Sequence, residues 1–308
     1  MDTKVIVEES QELQNITKEE SVGPWKMVWL RFKKKKIALT GVIILIILVL
    51  SAVFAPFLTP YSPDEMNFSN VNAAPSRQNW MGTDNLGRDY FTRLLYGGRV
   101  SLMVGVISAF ISVTLGSTIG GIAGFFGGRV DNILMRFAEI VMSFPFLPLA
   151  ITISAVVGAN VAPETKMYIV MMIIGCLSWP GLSRIVRGQI LSLKEQEFVL
   201  AAKALGIPNY KIILKHLIPN TIGYIIVSAA LSMANAIMAE SGLSFLGLGV
   251  VPPTPTWGNM VQHARNLHVL RTRPWLWIPP GVAILLAVMS INLLGDGLRD
   301  AIDPKSNN

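Results

Sequence analysis

The sequence predicts an all-α membrane protein with six transmembrane helices. Three observations lead there. The 308 residues are 52% hydrophobic and only 15% charged, whereas a soluble domain carries about 25% charged residues. The apolar residues are gathered in blocks long enough to cross a bilayer, which takes about 20 residues per helix. Lys and Arg fall unevenly among the links between those blocks. The lone Cys176 lies inside an apolar block, so no disulfide framework is expected. The net charge of +7 does not read as nucleic-acid binding. No basic patch is interleaved with aromatics except beside the first span, where a membrane surface accounts for it.

Taken in order, residues 1–24 are polar and mostly acidic, and read as a disordered cytoplasmic tail. Residues 25–56 hold an interfacial helix and the first transmembrane anchor. Trp25, Val28, Trp29 and Phe32 recur at helical spacing beside Lys26, Arg31 and Lys33 to Lys36. Aromatics then sit in the headgroup layer and basic residues face anionic lipid. The span Ile37–Ala55 is too long for a signal-peptide core. Residues 57–100 form an outer loop. Residues 101–296 form a five-helix core with spans near Ser101–Phe126, Ala138–Val157, Met167–Ser183, Ile222–Glu240 and Trp275–Leu294, interrupted by a cytoplasmic loop, 184–220. Residues 297–308 are a cytoplasmic tail.

With the amino terminus inside, both termini and the 184–220 loop are cytoplasmic. Eight of the 26 Lys and Arg then stand in residues 1–36, two at Arg129 and Arg136, six between Arg184 and Lys215, and two at Arg299 and Lys305. Only eight are left for the outer side, which is the positive-inside bias.

Details follow from individual residues. Ser108, Ser112, Gly116, Gly120 and Gly124 are small residues spaced by four, a smooth stripe for close helix packing within the chain or at a subunit interface. Pro145 and Pro148 predict a kink in the third span. Gly127 to Asp131 reads as a turn in which Arg129 and Asp131 pair. Asp89 and Arg93 stand at i, i+4 on a short helix of the outer loop, in the favourable orientation for a pair.

The stretch Lys194–Pro219 is the charged, helical interruption of the second half. Phe198, Ala201, Ala202 and Leu205 share one helical face. Gly206 ends that helix in the left-handed conformation, and Pro208 follows where a helix cannot continue. A second short run, Asn209 to Ile218, is expected to stop at Pro219. Two short arms and a rigid turn between membrane spans suit docking of a soluble partner.

Catalytic signatures are missing from the sequence. There is no G-x-x-x-x-G-K-[ST] phosphate loop. His216, His263 and His268 lack zinc spacing, and no nucleophile elbow occurs. The reading is therefore not an enzyme, with no cofactor or metal bound by this chain. Glu139, Asn235 and Glu240 are the polar residues nearest membrane depth, and Asn235 and Glu240 are the candidates for a substrate path.

Ala201-Ala202, Gly206 and Pro219 resemble the cytoplasmic EAA loop of ABC importer permeases, the element that seats in a groove of the ATPase subunit. The resemblance assigns that role to Glu197, Phe198, Ala201, Ala202, Gly206, Pro208 and Pro219. Leu200 stands where that family usually has Glu, and His216 and Ile218 where Ile and Leu are usual. Three longer segments, GTDNLGRDYFTRLLYGGRVSL (from Gly82), Ser241–Met260 and Leu293–Pro304, resemble the permeases of oligopeptide, dipeptide and nickel importers. The likeness covers most of residues 30–304.

That resemblance implies the type I ABC importer permease fold, with the first span peripheral. It implies a heterodimer with a second homologous permease, two ATP-binding cassette ATPases that hydrolyse ATP, and an extracellular substrate-binding protein. The implied location is the cytoplasmic membrane of a bacterium or archaeon. Peptide is the implied solute, with nickel or another small solute of the same group as the alternative. A secondary transporter would instead show inverted repeats and a coupling carboxylate at a span centre; neither is found in the sequence.

Overall fold

A computed structural model describes residues 24–159 and 161–302 of the chain. Within them the chain is helical, with no strand beyond an isolated bridge between Thr83 and Asp89. Apart from a single turn at Ala55–Leu58 and short 3-10 turns, the helices are α1 (Pro24–Lys34), α2 (Lys36–Val53), α3 (Tyr90–Phe126), α4 (Gly128–Ser143), α5 (Phe146–Gly158), α6 (Pro163–Leu193), α7 (Glu197–Ala204), α8 (Asn209–Ile212), α9 (Ile218–Phe245), α10 (Trp257–Val261), α11 (Leu267–Thr272) and α12 (Ile278–Ile302). Five segments are long and apolar enough to cross a membrane, and the bent pair α4 and α5 makes a sixth if counted as one span. The expected tails at 1–24 and 297–308 fall largely outside the described residues; the part of the second that is described, to Ile302, continues α12.

The central contact is α3 against α6. All five small residues of the stripe are buried in α3. A Cβ on Gly120 would stand 2.4 Å from the carbonyl oxygen of Ser183, and one on Gly124 2.9 Å from that of Arg187. Only hydrogen fits there, so the two backbones touch directly. Ser108 Oγ donates to the Met171 carbonyl at 3.0 Å across the same seam. α9 packs on both helices, α12 on α9, and α2 on α12 at the edge of the bundle. α1 folds back so that Phe32, with Ala38, is buried against Ala301, and Lys35 pairs with Asp300 at 2.9 Å. Trp29, more than half exposed, stays on the outside of this helix.

Several boundaries differ from the sequence reading, each for a local reason. α3 begins at Tyr90, well before Ser101, because Asp89 caps it by accepting from the Thr92 amide at 2.8 Å. Asp89 is thereby used, and its partners are Thr92 and Asn79, not Arg93. The third span is broken rather than kinked. α4 and α5 meet at 84°, because Pro145 forces Phe144 into extended backbone. Asp131 pairs not with Arg129 but with Arg187 of α6, through both carboxylate oxygens at 2.5 Å. That bidentate bridge clamps the start of α4 to α6.

Pro219 does not stop the second arm. It lies in the first turn of α9, and residues Ile213–Leu217 form a π-helical turn that runs straight into it. A proline ring has no N–H and crowds the carbonyl four residues back, and the wider π turn makes room for it. Asn220 Nδ2 donates to the His216 carbonyl at 2.6 Å within the same stretch.

Candidate functional site

The bihelical loop lies at one end of the bundle, beyond the carboxyl ends of α3 and α6. α7 ends as expected. Gly206 has φ of +71°, its amide bonds the Lys203 carbonyl at 2.9 Å, and the Ile207 amide reaches back to Ala202 at 3.1 Å. This is the six-to-one closure of a Schellman turn. Pro208 then starts the second arm at the N-cap of α8.

The face of α7 is divided differently from the expectation. Val199 and Ala202 point inward, where they join Ile212 and Leu217 against Val186, Ile190 and Ile225 of α6 and α9. Phe198, Ala201 and Leu205 are exposed. Of the four residues that periodicity places on one face, Phe198, Ala201 and Leu205 form the outward side, while Ala202 turns inward with Val199. The outward apolar surface is large: Leu205 is 80% exposed, Leu214 64% and Tyr210 60%, beside Phe198 and Leu200. The Phe198 ring lies 6.5 Å from His216 of the π turn, linking the arms. Lys203 Nζ lies 5.6 Å over the Phe125 ring at the end of α3. Glu197 stands in the first turn of α7, exposed, where its charge favours the helix dipole.

The other end of the bundle is capped by residues 59–89 and 246–277. Asp84 is fully buried and organises it. It accepts from the amides of Leu86 and Arg88, and pairs with Arg88 Nε at 2.7 Å and Arg93 Nε at 3.8 Å. Arg93 also donates to the carbonyls of Pro63 and Pro253, stitching the two loops together. The Tyr90 hydroxyl donates to the Leu276 carbonyl, and Trp257 Nε1 to that of Leu94 at 3.0 Å. Thr256 and Asn259 cap α10 reciprocally. A cleft of about 810 Å³ opens between the loops, lined by Arg88, Arg93, His263, Arg265 and Arg273 among others. Burial holds the His263 imidazole below its ordinary pKa, opposed by Asp84 and reinforced by Arg93 and Arg88.

The two candidate path residues separate. Asn235 is exposed on α9, on the side that also shows Tyr224 and Met238. Glu240 is fully enclosed, with Ser244 donating to its Oε1 at 2.6 Å. Its surroundings are the loop that carries Val250 and the start of α10, so it braces the cap instead of facing an open path. Hydropathy places Glu240 at a span end; the loop folded over it is visible only in the structure.

This arrangement of spans, loop and cap can be set beside known proteins. Residues 116–308 match the model for the binding-protein-dependent transport system inner membrane component, and residues 23–75 match that for the N-terminal TM domain of oligopeptide transport permease C. The chain belongs to that transport-permease family. The similar proteins include a dipeptide transport system permease of Bacillus subtilis, 40% identical over 98% of this chain and 92% of its own. A dipeptide transport system permease of Alkalihalophilus pseudofirmus is 41% identical over 92% and 91%. An oligopeptide transport system permease of Haemophilus influenzae is 41% identical over 91% and 88%. The permease assignment agrees with the all-α, multi-pass membrane fold, and the family is one of transport proteins rather than enzymes.

Proposed function

We propose that this permease is one of two different membrane subunits of an ATP-driven importer of peptides. In this reading the end that carries the bihelical loop is cytoplasmic, as are both termini. An ATPase subunit docks on the loop, a second ATPase serves the partner permease, and a binding protein delivers solute at the capped end. ATP is bound and hydrolysed by the ATPases, since this chain has no phosphate-binding loop. Peptide as the solute is supported by the names of relatives at about 40% identity.

The observation that carries the docking role is the outward apolar face of the loop. Phe198, Leu200 and Leu205 are exposed outside the candidate spans, and Tyr210 and Leu214 are exposed at the start of the Asn209–Phe245 segment, beside Lys203, Lys211 and Lys215. Such a patch on a polar segment marks an interaction surface. Its inner face is fixed by Val199, Ala202, Ile212 and Leu217 to α6 and α9. A push on the loop therefore reaches both helices, which is the coupling between nucleotide and solute sites that ATP-driven transport requires. Asn235, polar and exposed on α9, is proposed to line the solute path.

The test is a pair of substitutions, Leu205→Asp and Tyr210→Asp, in tagged permease expressed with its ATPases. Copurified ATPase and uptake of a labelled dipeptide should both fall at least tenfold. Melting of the permease itself should be unchanged, because neither side chain enters the core. Full ATPase recovery would overturn the docking role.

A further inference from the structure

The cleft at the capped end has a charge balance of its own. Of its four arginines, Arg88 and Arg93 are buried and answered: Asp84 pairs with both, and Asp64 lies 3.4 Å from Arg93. Arg265 and Arg273 are different. Among the described residues neither has a carboxylate within ion-pair distance, and no Asp or Glu lines the cleft. Two unanswered guanidiniums thus face a concave space of about 810 Å³, whose walls concentrate their field. Asn72 lines the same space, and its Oδ1 is buried without a donor. The site therefore calls for carboxylate together with an N–H group. The nearby rim is mixed: Leu267 is 69% exposed and Arg271 is exposed beside it.

We infer that this cleft seats an acidic surface segment of the substrate-binding protein, with Arg265 and Arg273 as its anchors. The inference rests on the importer reading above and specifies where the binding protein docks. A free peptide is disfavoured by the same charge balance. Its terminal ammonium would need a carboxylate, and the one beneath the floor, Asp84, is fully buried and already bonded. An acidic side chain on a folded partner brings carboxylate and main-chain N–H without an ammonium. The exposed Leu267 and Arg271 suit the apolar and arginine-rich composition of protein interfaces.

The experiment uses the whole transporter, copurified with its ATPases and held in lipid nanodiscs. The probe is its substrate-binding protein, purified separately and labelled with a fluorophore, titrated at low and high salt. Arg265→Glu with Arg273→Glu should weaken binding by about tenfold or more at low salt and flatten the salt dependence. Arg265→Lys with Arg273→Lys should keep most of the affinity. Unchanged affinity in the Glu pair would overturn the inference, and so would a Lys pair as weak as the Glu pair, which marks a structural role. Loss of labelled-dipeptide binding without the binding protein, while binding-protein affinity stays normal, would make this a solute site and overturn it too. ATPase recovery is read on every sample. If wild-type chain recovers no ATPase, the importer reading falls, and this inference falls with it for a different reason.

Discussion

Replacing Gly206 isolates the geometry of the loop from its contacts. The residue has φ of +71°, and a Cβ built on it meets nothing within 4 Å. A side chain there therefore clashes with no neighbour, and the whole penalty lies in the backbone. Left-handed backbone costs a non-glycine residue about 1–2 kcal/mol, with β-branched residues at the upper end and Asn at the lower. That is a factor of about 5 to 30 in the population of the closed turn. Gly206→Val should lose the two turn hydrogen bonds, from Gly206 to Lys203 and from Ile207 to Ala202, and change the angle between α7 and α8. The spans should be untouched. Recovery of ATPase on tagged permease should fall by about 5- to 30-fold and uptake of labelled dipeptide with it, by the same estimate. Gly206→Asn should stay close to wild type. Gly188→Val, at an open position inside α6, controls for a general effect of losing glycine. If Val recovers ATPase fully, or if Asn fails as badly as Val, the argument from the turn is wrong.

Four further outcomes are expected. Gly120→Ala should destabilise the permease by about 1–3 kcal/mol or more in a thermal melt, because its Cβ would lie 2.4 Å from Ser183 backbone. Gly121→Ala, whose nearest contacts are at 3.7 Å, should be neutral within experimental error. Asp131→Asn should cost roughly 1–3 kcal/mol by leaving Arg187 without its charged partner, and Asp131→Arg combined with Arg187→Asp should melt higher than either single variant. Purified chain without its ATPases should show no ATP turnover, and turnover that survives stringent purification would refute this. Substituting Lys33 to Lys36 with Glu should disturb membrane insertion; unchanged topology in accessibility labelling would place the orientation signal elsewhere.

Much of this could be read from residue types alone, and what could not has a common cause. Periodicity and punctuation located the spans, the α3 stripe and the Gly206 turn, since each depends on residues close in sequence. Partners distant in sequence were hidden. Asp131 finds Arg187 rather than the nearby Arg129, because a packed α6 delivers a guanidinium fork to both carboxylate oxygens. Arg93 reaches across to the Pro253 carbonyl as well as to Asp84, a link between two loops that local spacing does not show. Proline was misread in two opposite ways. Pro145 breaks the third span by 84° where a kink was expected, while Pro219 fails to end a helix because a π turn precedes it. Pro180 inside α6 is likewise absorbed by a continuous helix. A proline reports a lost hydrogen bond, and the surrounding packing decides whether the chain bends or compensates.

The π turn at Ile213–Leu217 has a further consequence, one of phase. An α-helix advances about 100° per residue, and a π turn holds one residue more than its α counterpart. Everything after it is thus rotated by roughly one residue's worth relative to an uninterrupted rod. The side of the second arm that carries Tyr210 and Leu214 and the side of α9 that carries Asn235 are therefore keyed to each other by this one irregular turn. The offset is written in residue count rather than in any contact. Deleting a single residue between Pro219 and Asn235, where α9 is regular and stores no extra residue, would leave the π turn and the loop in place. It would still swing Asn235 by about 100° around the axis, so that the surface offered at the loop and the surface offered along the span no longer correspond.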